Sequence, residues 1–200
     1  MNHRYPYNLI LASASPRRKE LLEQMGFDFK VEVVDADETP DVQIAVEQLP
    51  VWLAQKKANL IPFVGEQSLV IAADTLVIHD RRILGKPQDA KEARDMLKSL
   101  SGASHQVITG VCLRRTHERT VFSESTEVHF SVLSEDEIDH YIQQYKPYDK
   151  AGAYGIQEWI GLRFVHKIVG SYTNVVGLPT ERLYSELKKA TLRPKESGIG

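Results

Sequence analysis

The sequence predicts a mixed α/β fold, and three observations carry that expectation. Short apolar runs of strand length alternate with segments of helical period from residue 8 to about 190. The middle of the chain holds two long strand-like runs, about Gln106–Arg115 and Arg119–Phe130, close enough in sequence to pair directly. A small hairpin, Leu76-Val77-Ile78 against Ile83-Leu84, precedes them. Such hairpins exclude a purely doubly wound parallel sheet and point to a mixed one. No internal repeat or low-complexity linker interrupts the pattern, so the 200 residues suit one sizeable domain, or two lobes sharing one sheet.

In chain order, Asn8–Ala12 reads as a short buried strand. Ser15 can cap the helix that follows, with Pro16 at its first position, Leu21, Leu22 and Met25 on one side, and Gly26 as its stop. Alternating Phe27, Phe29, Val31 and Val33 predict a second strand, which runs into the acidic stretch Asp35-Ala36-Asp37-Glu38. Pro50 starts a helix to about Ile61 with the stripe Leu53, Ala54, Lys57, Leu60 and Ile61; Lys57 lies within it and Lys56 outside. Ser68–Ala73 is a strand, with Asp74-Thr75 at its polar break. Asp89 and Glu92 form an acidic variant of the capping box for a helix carrying Ala93, Met96, Leu97 and Leu100. Ser134 and Glu137 form a second box for a helix with Ile138, Tyr141, Ile142 and Tyr145, broken before Pro147. Leu162–Val169 reads as a strand, and a last helix spans about Thr180–Ala190 with Leu183, Tyr184 and Leu187.

Bulk composition narrows the function. A chain of this length builds a core without metals or disulfides. The net charge of -2 excludes a surface that is one basic field for duplex nucleic acid, so any phosphate site must come from local cations. The one cysteine, Cys112, sits in the apolar run Val111-Cys112-Leu113 and reads as a core residue in a reducing compartment. No stretch is long and apolar enough for a signal peptide or a membrane span, and a cytoplasmic location is expected. Residues 1–7 and 191–200 read as loose ends.

Five features carry candidate chemistry, each with a plainer structural alternative. Ser13–Arg18 follows a strand with a small-residue turn and a helix start, which presents backbone N–H groups, two hydroxyls and two guanidinium groups. That set suits a triphosphate; the alternative is an ordinary cap with exposed arginines. Lys57 on an apolar stripe is either a site cation or a lysine snorkelling from the helix edge. Lys86, between Gly85 and Pro87, is a site cation or a turn lysine. Asp74 follows Val70-Ile71-Ala72-Ala73 at a strand end, where α/β sites gather, or caps a turn there. Glu38, with Asp35 and Asp37, offers oxygen ligands to a hard divalent cation, or is a solvated acidic loop. No P-loop sequence and no zinc spacing of Cys and His is present.

Taken together these segments resemble the Maf family. Leu9-Ile10-Leu11-Ala12-Ser13-Ala14-Ser15-Pro16-Arg17-Arg18 is similar to its opening signature. Asp37-Glu38, Leu53–Ala58, Ala73-Asp74-Thr75, Gly85-Lys86-Pro87, Asp149–Gln157 and Gly170–Pro179 follow in the family's order. The resemblance spans about residues 8 to 187 and implies one Maf domain of 8–190. That domain is of the inosine triphosphate pyrophosphatase-like type: an α/β protein of two lobes with a nucleotide cleft between them. It further implies a nucleoside triphosphate pyrophosphatase that needs a divalent metal, Mg or Mn, and generally forms a homodimer. By position, Asp74 is the proton acceptor, and Ser13, Arg18, Glu38, Lys57 and Lys86 belong to the polar cleft, with Glu38 the metal candidate. Arg17, Thr75 and Gln157 are the positions dividing substrate subfamilies, and their identities match the dTTP/UTP type. The alternatives are 7-methyl-GTP hydrolysis, which Arg17 and Gln157 oppose, and a nucleotide- or nucleic-acid-binding regulator of cell division, since family members are linked to septum formation. The acidic balance and the lack of a basic-aromatic stripe make nucleic acid an unexpected partner.

Overall fold

The computed structural model describes residues 6–36, 39, 44–62 and 65–192. Seven strands form one mixed sheet: β1 (Asn8–Ala12), β2 (Phe29–Val31), β3 (Ser68–His79), β4 (Arg82–Leu84), β5 (Ser104–Arg114), β6 (Arg119–Phe130) and β7 (Val165–Val169). Their order is β2-β1-β3-β5-β6-β7, with β4 joined to β3. The β1 strand is parallel to both β2 and β3, and every other pairing is antiparallel. The expected mixed α/β sheet is therefore present. The helices are α1 (Pro16–Gln24), α2 (Leu49–Leu60), α3 (Ala90–Leu100), α4 (Glu135–Tyr145), α5 (Trp159–Phe164), α6 (Tyr172–Val176) and α7 (Thr180–Leu192). Among the described residues no helix is long and apolar enough to cross a membrane.

The helix ends follow the cap chemistry. The Ser15 side chain accepts from the Arg18 amide, Asp89 from Glu92, and Ser134 and Glu137 close a reciprocal box. Glu92 reaches back one residue further than a box requires, accepting from the Gln88 amide at 2.7 Å.

Alternation along β3 sorts the core onto two faces. Leu69, Ile71 and Ala73 pack with Leu21 and Leu22 of α1 and Leu183 and Leu187 of α7. Val70 and Ala72 face the other way, onto Ala54 and Ala58 of α2. Another cluster joins α3 and α4 to β5 and β6 through Leu97, Leu100, Val107, Phe130, Ile138 and Tyr141. Gly110 of β5 lies opposite Asp74. A Cβ there would fall 2.2 Å from the Val51 amide nitrogen, so only glycine lets the first turn of α2 seat on the sheet. Cys112 is fully buried in the α2-side core, and burial pushes its thiol up to about 11, as suits a core residue.

Four local expectations need correction. β2 is only Phe29–Val31, because five-residue β1 offers partners from Leu9 to Leu11 alone, and Val33 is left 66% exposed. β3 does not stop at Ala73 but runs on to His79, so Asp74 and Thr75 are mid-strand. The expected Leu162–Val169 strand is split. Its first residues belong to α5, which presses Gly161 onto the backbone of Ile156 and leaves Leu162 exposed, and β7 begins only at Val165. Leu60, expected in the buried stripe of α2, is exposed, whereas Leu53, Ala54 and Ile61 just past the helix are buried.

Candidate active site

The break in strand pairing builds the site. On one edge β3 is paired with β1 from Ser68 to Ala72 and with β4 from Val77 to His79. Between those stretches Ala73, Asp74, Thr75 and Leu76 have no strand neighbour on that edge among the described residues, while β5 covers their other edge. The gap opens beyond the carboxyl end of β1, where open α/β sheets bind ligands. A cavity of about 490 Å³ lies there. Ser13, Arg17, Arg18, Lys57, Asp74, Thr75, Lys86 and Gln157 all line it, so the structure brings together every expected site residue that it describes. Glu38, the metal candidate, and its neighbour Asp37 lie outside the described residues; Asp35 lines the cavity.

Alternation along β3 turns Asp74 and Thr75 to opposite faces, and each meets a cation there. On the α2 face, Lys57 Nζ donates to Asp74 Oδ1 at 2.5 Å, with both side chains nearly buried. On the α1 face, Arg18 donates to three acceptors: Gly177 O from Nε at 2.8 Å, Ser13 Oγ at 3.1 Å and Thr75 Oγ1 at 3.0 Å. The left-handed φ of Gly177 (+125°) shapes the turn that aims this carbonyl. Ser13 Oγ also accepts from the Ser15 amide at 3.2 Å, which tightens the turn into α1. Lys86 is held by its loop, where the Gly152 amide donates to Gly85 O at 3.0 Å; it has no carboxylate partner among the described residues.

Arg17 crosses the cavity mouth to Asp149, with NH1 donating to Oδ2 at 2.6 Å. Lys150 Nζ donates to the other Asp149 oxygen at 2.7 Å and pairs with Glu158 at 3.1 Å. Tyr141 in turn donates its hydroxyl to Glu158 and accepts from the Gly155 amide. Partial burial pushes the Asp149 carboxyl up, but hydrogen bonds from Lys150 and Arg17 outweigh it and hold the group below the usual carboxylate range. The same network pins the loop that carries Gln157. Gln157 lines the cavity, and its Oε1 atom is shielded from solvent and receives no hydrogen bond from the described residues.

Tyr154, Asp149, Lys150 and Thr109 were given no role from the sequence. The first three belong to the Asp149–Gln157 block, and its place in the family resemblance is their only signal. Thr109, in mid-strand, had none. The Tyr154 hydroxyl meets His105 Nε2 at 2.8 Å inside the protein. Burial above all, with the charges of His79 and His129, lowers the His105 imidazole from 6.5 to about 3. The unfolded chain therefore binds a proton near pH 6.5 that the folded one refuses until about pH 3. Stability attributable to His105 is complete above pH 6.5 and falls as pH drops through that window, by up to ~1.4 kcal/mol per pH unit. Urea unfolding at pH 7, 6 and 5 should show that slope, and His105→Gln should flatten it. An unchanged slope in the variant would remove His105 as its source.

Among the described residues, cations outnumber carboxylates around this cavity, an arrangement suited to a polyanionic ligand. The chain belongs to the Maf family: the family model described as Maf-like protein matches residues 8–190. A protein of Bacteroides fragilis named dTTP/UTP pyrophosphatase is 48% identical over 185 residues, covering 92% of this chain and 96% of the relative. Proteins of the same name from Phocaeicola vulgatus and Cytophaga hutchinsonii are 50% identical (92% and 96% covered) and 44% identical (94% and 87% covered). Among solved structures, the Staphylococcus aureus Ham1 protein is similar with a TM-score of 0.43 at 14% identity, covering 62% of this chain and 71% of that one.

Proposed function

We propose that this chain hydrolyses dTTP and UTP to the monophosphate and pyrophosphate. The observation that carries the reading is Asp74, paired with Lys57 in the sheet gap of a cavity that Arg18, Lys86 and the Ser13–Arg18 turn also line, in a chain about half identical to proteins named for that activity. Water attacks the α-phosphorus and pyrophosphate leaves. Lys57 occupies Asp74 Oδ1, and no described residue donates to Oδ2, so Oδ2 holds the water and takes its proton. An ordinary Asp is a weak base at neutral pH, so alignment of the water contributes beside proton transfer. Lys57, Lys86 and Arg18 offset the charge that builds on phosphate oxygens.

A divalent cation is part of the proposal, and the donor chemistry fits one: the Asp35 carboxylate lines the cavity, and a hard cation takes one or two such groups together with phosphate oxygens. Such a cation, when bound, supplies charge compensation for the departing pyrophosphate. The Gln157 amide, which lines the cavity and can both donate and accept, supports reading the edge of uracil or thymine. A homodimer and a cytoplasmic location belong to the same reading; the buried Cys112, the chain's one cysteine, suits a reducing compartment.

The test is a panel of nucleoside triphosphates with Mg or Mn, reading pyrophosphate and orthophosphate separately. With dTTP and UTP we expect monophosphate and pyrophosphate. Diphosphate plus orthophosphate would place the cleavage elsewhere, and a preference for 7-methyl-GTP would overturn the base assignment. Silence across the whole panel would favour a binding function.

A further inference from the structure

We propose that Thr109 is a positioning residue: it locks the Thr75 hydroxyl so that Thr75 offers the cavity an acceptor only, and so meets a donor group of the nucleoside rather than the triphosphate. This rests on the nucleotide reading above.

The argument is a count of hydrogens. Thr109 is fully buried on β5, directly opposite Thr75 on β3. Its Oγ1 lies 3.0 Å from the carbonyl of Asn174, which can only accept. A hydroxyl has one hydrogen, so Thr109 spends it there. In the 2.9 Å contact between Thr75 Oγ1 and Thr109 Oγ1, the donor is therefore Thr75. One lone pair of Thr75 already accepts from Arg18 NH2 at 3.0 Å. What Thr75 can still present is the second lone pair. A phosphate oxygen brought to it would meet lone pair on lone pair. An imide N–H or a sugar hydroxyl would be accepted.

The end of this relay is well anchored. Asn174 is fully buried, and its side-chain amide donates to Val107 O at 3.0 Å and to Thr126 Oγ1 at 2.9 Å. Its carbonyl thus has a fixed place over the sheet, which sets the direction of the whole chain from Arg18 through Thr75 and Thr109. Asp74 and Lys57 lie on the opposite face of β3, so the relay bears on nucleoside binding more than on the attacking water.

The experiment is a cycle of Thr109→Val, Thr109→Ser, Thr75→Val and the double variant Thr75→Val/Thr109→Val. Each is read as kcat and KM for dTTP and as Kd for α,β-methylene dTTP. Thr109→Val keeps the shape but frees the Thr75 hydrogen to turn into the cavity. We expect a rise in KM and Kd of about ten-fold, the scale of one lost hydrogen bond, with kcat little changed. Thr109→Ser should restore binding to within ~2-fold, since it keeps the hydroxyl. In the Thr75→Val background the Thr109 change should have no further effect, because the group it orients is gone. Wild-type KM and Kd in Thr109→Val, failure of Thr109→Ser to rescue, or an undiminished effect beside Thr75→Val would each overturn the proposal. Should Thr109→Val fail to fold, Thr109→Ala removes the same hydroxyl with a smaller side chain. A wild type that releases no pyrophosphate yet binds the analogue would count against the proposed activity while the Kd cycle still decides the role of Thr109. A wild type that binds no analogue overturns both.

Discussion

Asp74→Asn is expected to lower kcat for dTTP by ~10²-fold or more, the range for losing a general base. The change is nearly isosteric, and the amide oxygen can still accept from Lys57, so the sheet and α2 should hold. What disappears is the proton acceptor and one negative charge at the mouth of the sheet gap. A more positive cavity should hold a polyphosphate at least as well, so KM should stay level or fall while kcat collapses. That split separates chemistry from binding. Steady-state pyrophosphate release by folded variant protein checks it. A kcat within a few-fold of wild type would remove Asp74 from the chemistry, whatever happened to KM.

Lys57→Ala should be nearly as damaging, with kcat/KM reduced by ~10²-fold or more, and Lys56→Ala should stay within ~3-fold of wild type. The two lysines are adjacent in sequence, but one helical step turns them ~100° apart. Lys57 follows Leu53 and Ala54 by one turn on the buried face of α2 and reaches Asp74 at 2.5 Å. Removing it strips a nearly buried carboxylate of its cation and takes a positive charge away from the phosphates, and breaking such a pair costs far more than an exposed one. Lys56 instead lies 4.8 Å over the Trp52 ring, a contact worth about 0.5–1 kcal/mol at an exposed site. Comparable losses in the two variants would mean that α2 is rotated from the orientation described.

Much of this was legible from local chemistry. Ser15, Asp89 and Ser134 start their helices as cap residues should, because a cap needs only a side-chain oxygen and an amide three residues away. The phase of Lys57 was legible for the same reason: a helix folds on its own neighbours, so its buried stripe shows in the spacing. The opposite faces taken by Asp74 and Thr75 were not legible, because the strand reads as ending at Ala73. The family resemblance added the membership of the cleft, which spacing alone did not reveal.

Strand ends were less legible, because a strand ends where its partner ends. Phe27 to Val33 alternates throughout, yet only Phe29–Val31 finds β1. Asp74 and Thr75 look like a strand break because they are polar, yet β5 keeps them in the sheet while β1 stops at Ala12. Their polarity marks the gap in the sheet rather than the end of the strand. The Arg17–Asp149 clasp joins residues 132 apart, and the Thr109–Asn174 bond residues 65 apart. The sequence by itself thus determined α1, α2, α3, α4 and α7, the caps of α1, α3 and α4, and the candidate cations and carboxylate. Only the tertiary structure decided that Asp74 lies in a gap between β1 and β4, that Lys57 and Arg18 reach it and Thr75 from opposite faces, and that Thr109 orients the Thr75 hydroxyl. The physical reason is range: caps and periodicity are settled within a few residues, whereas register and hydrogen-bond direction are settled between segments that only the folded sheet brings together.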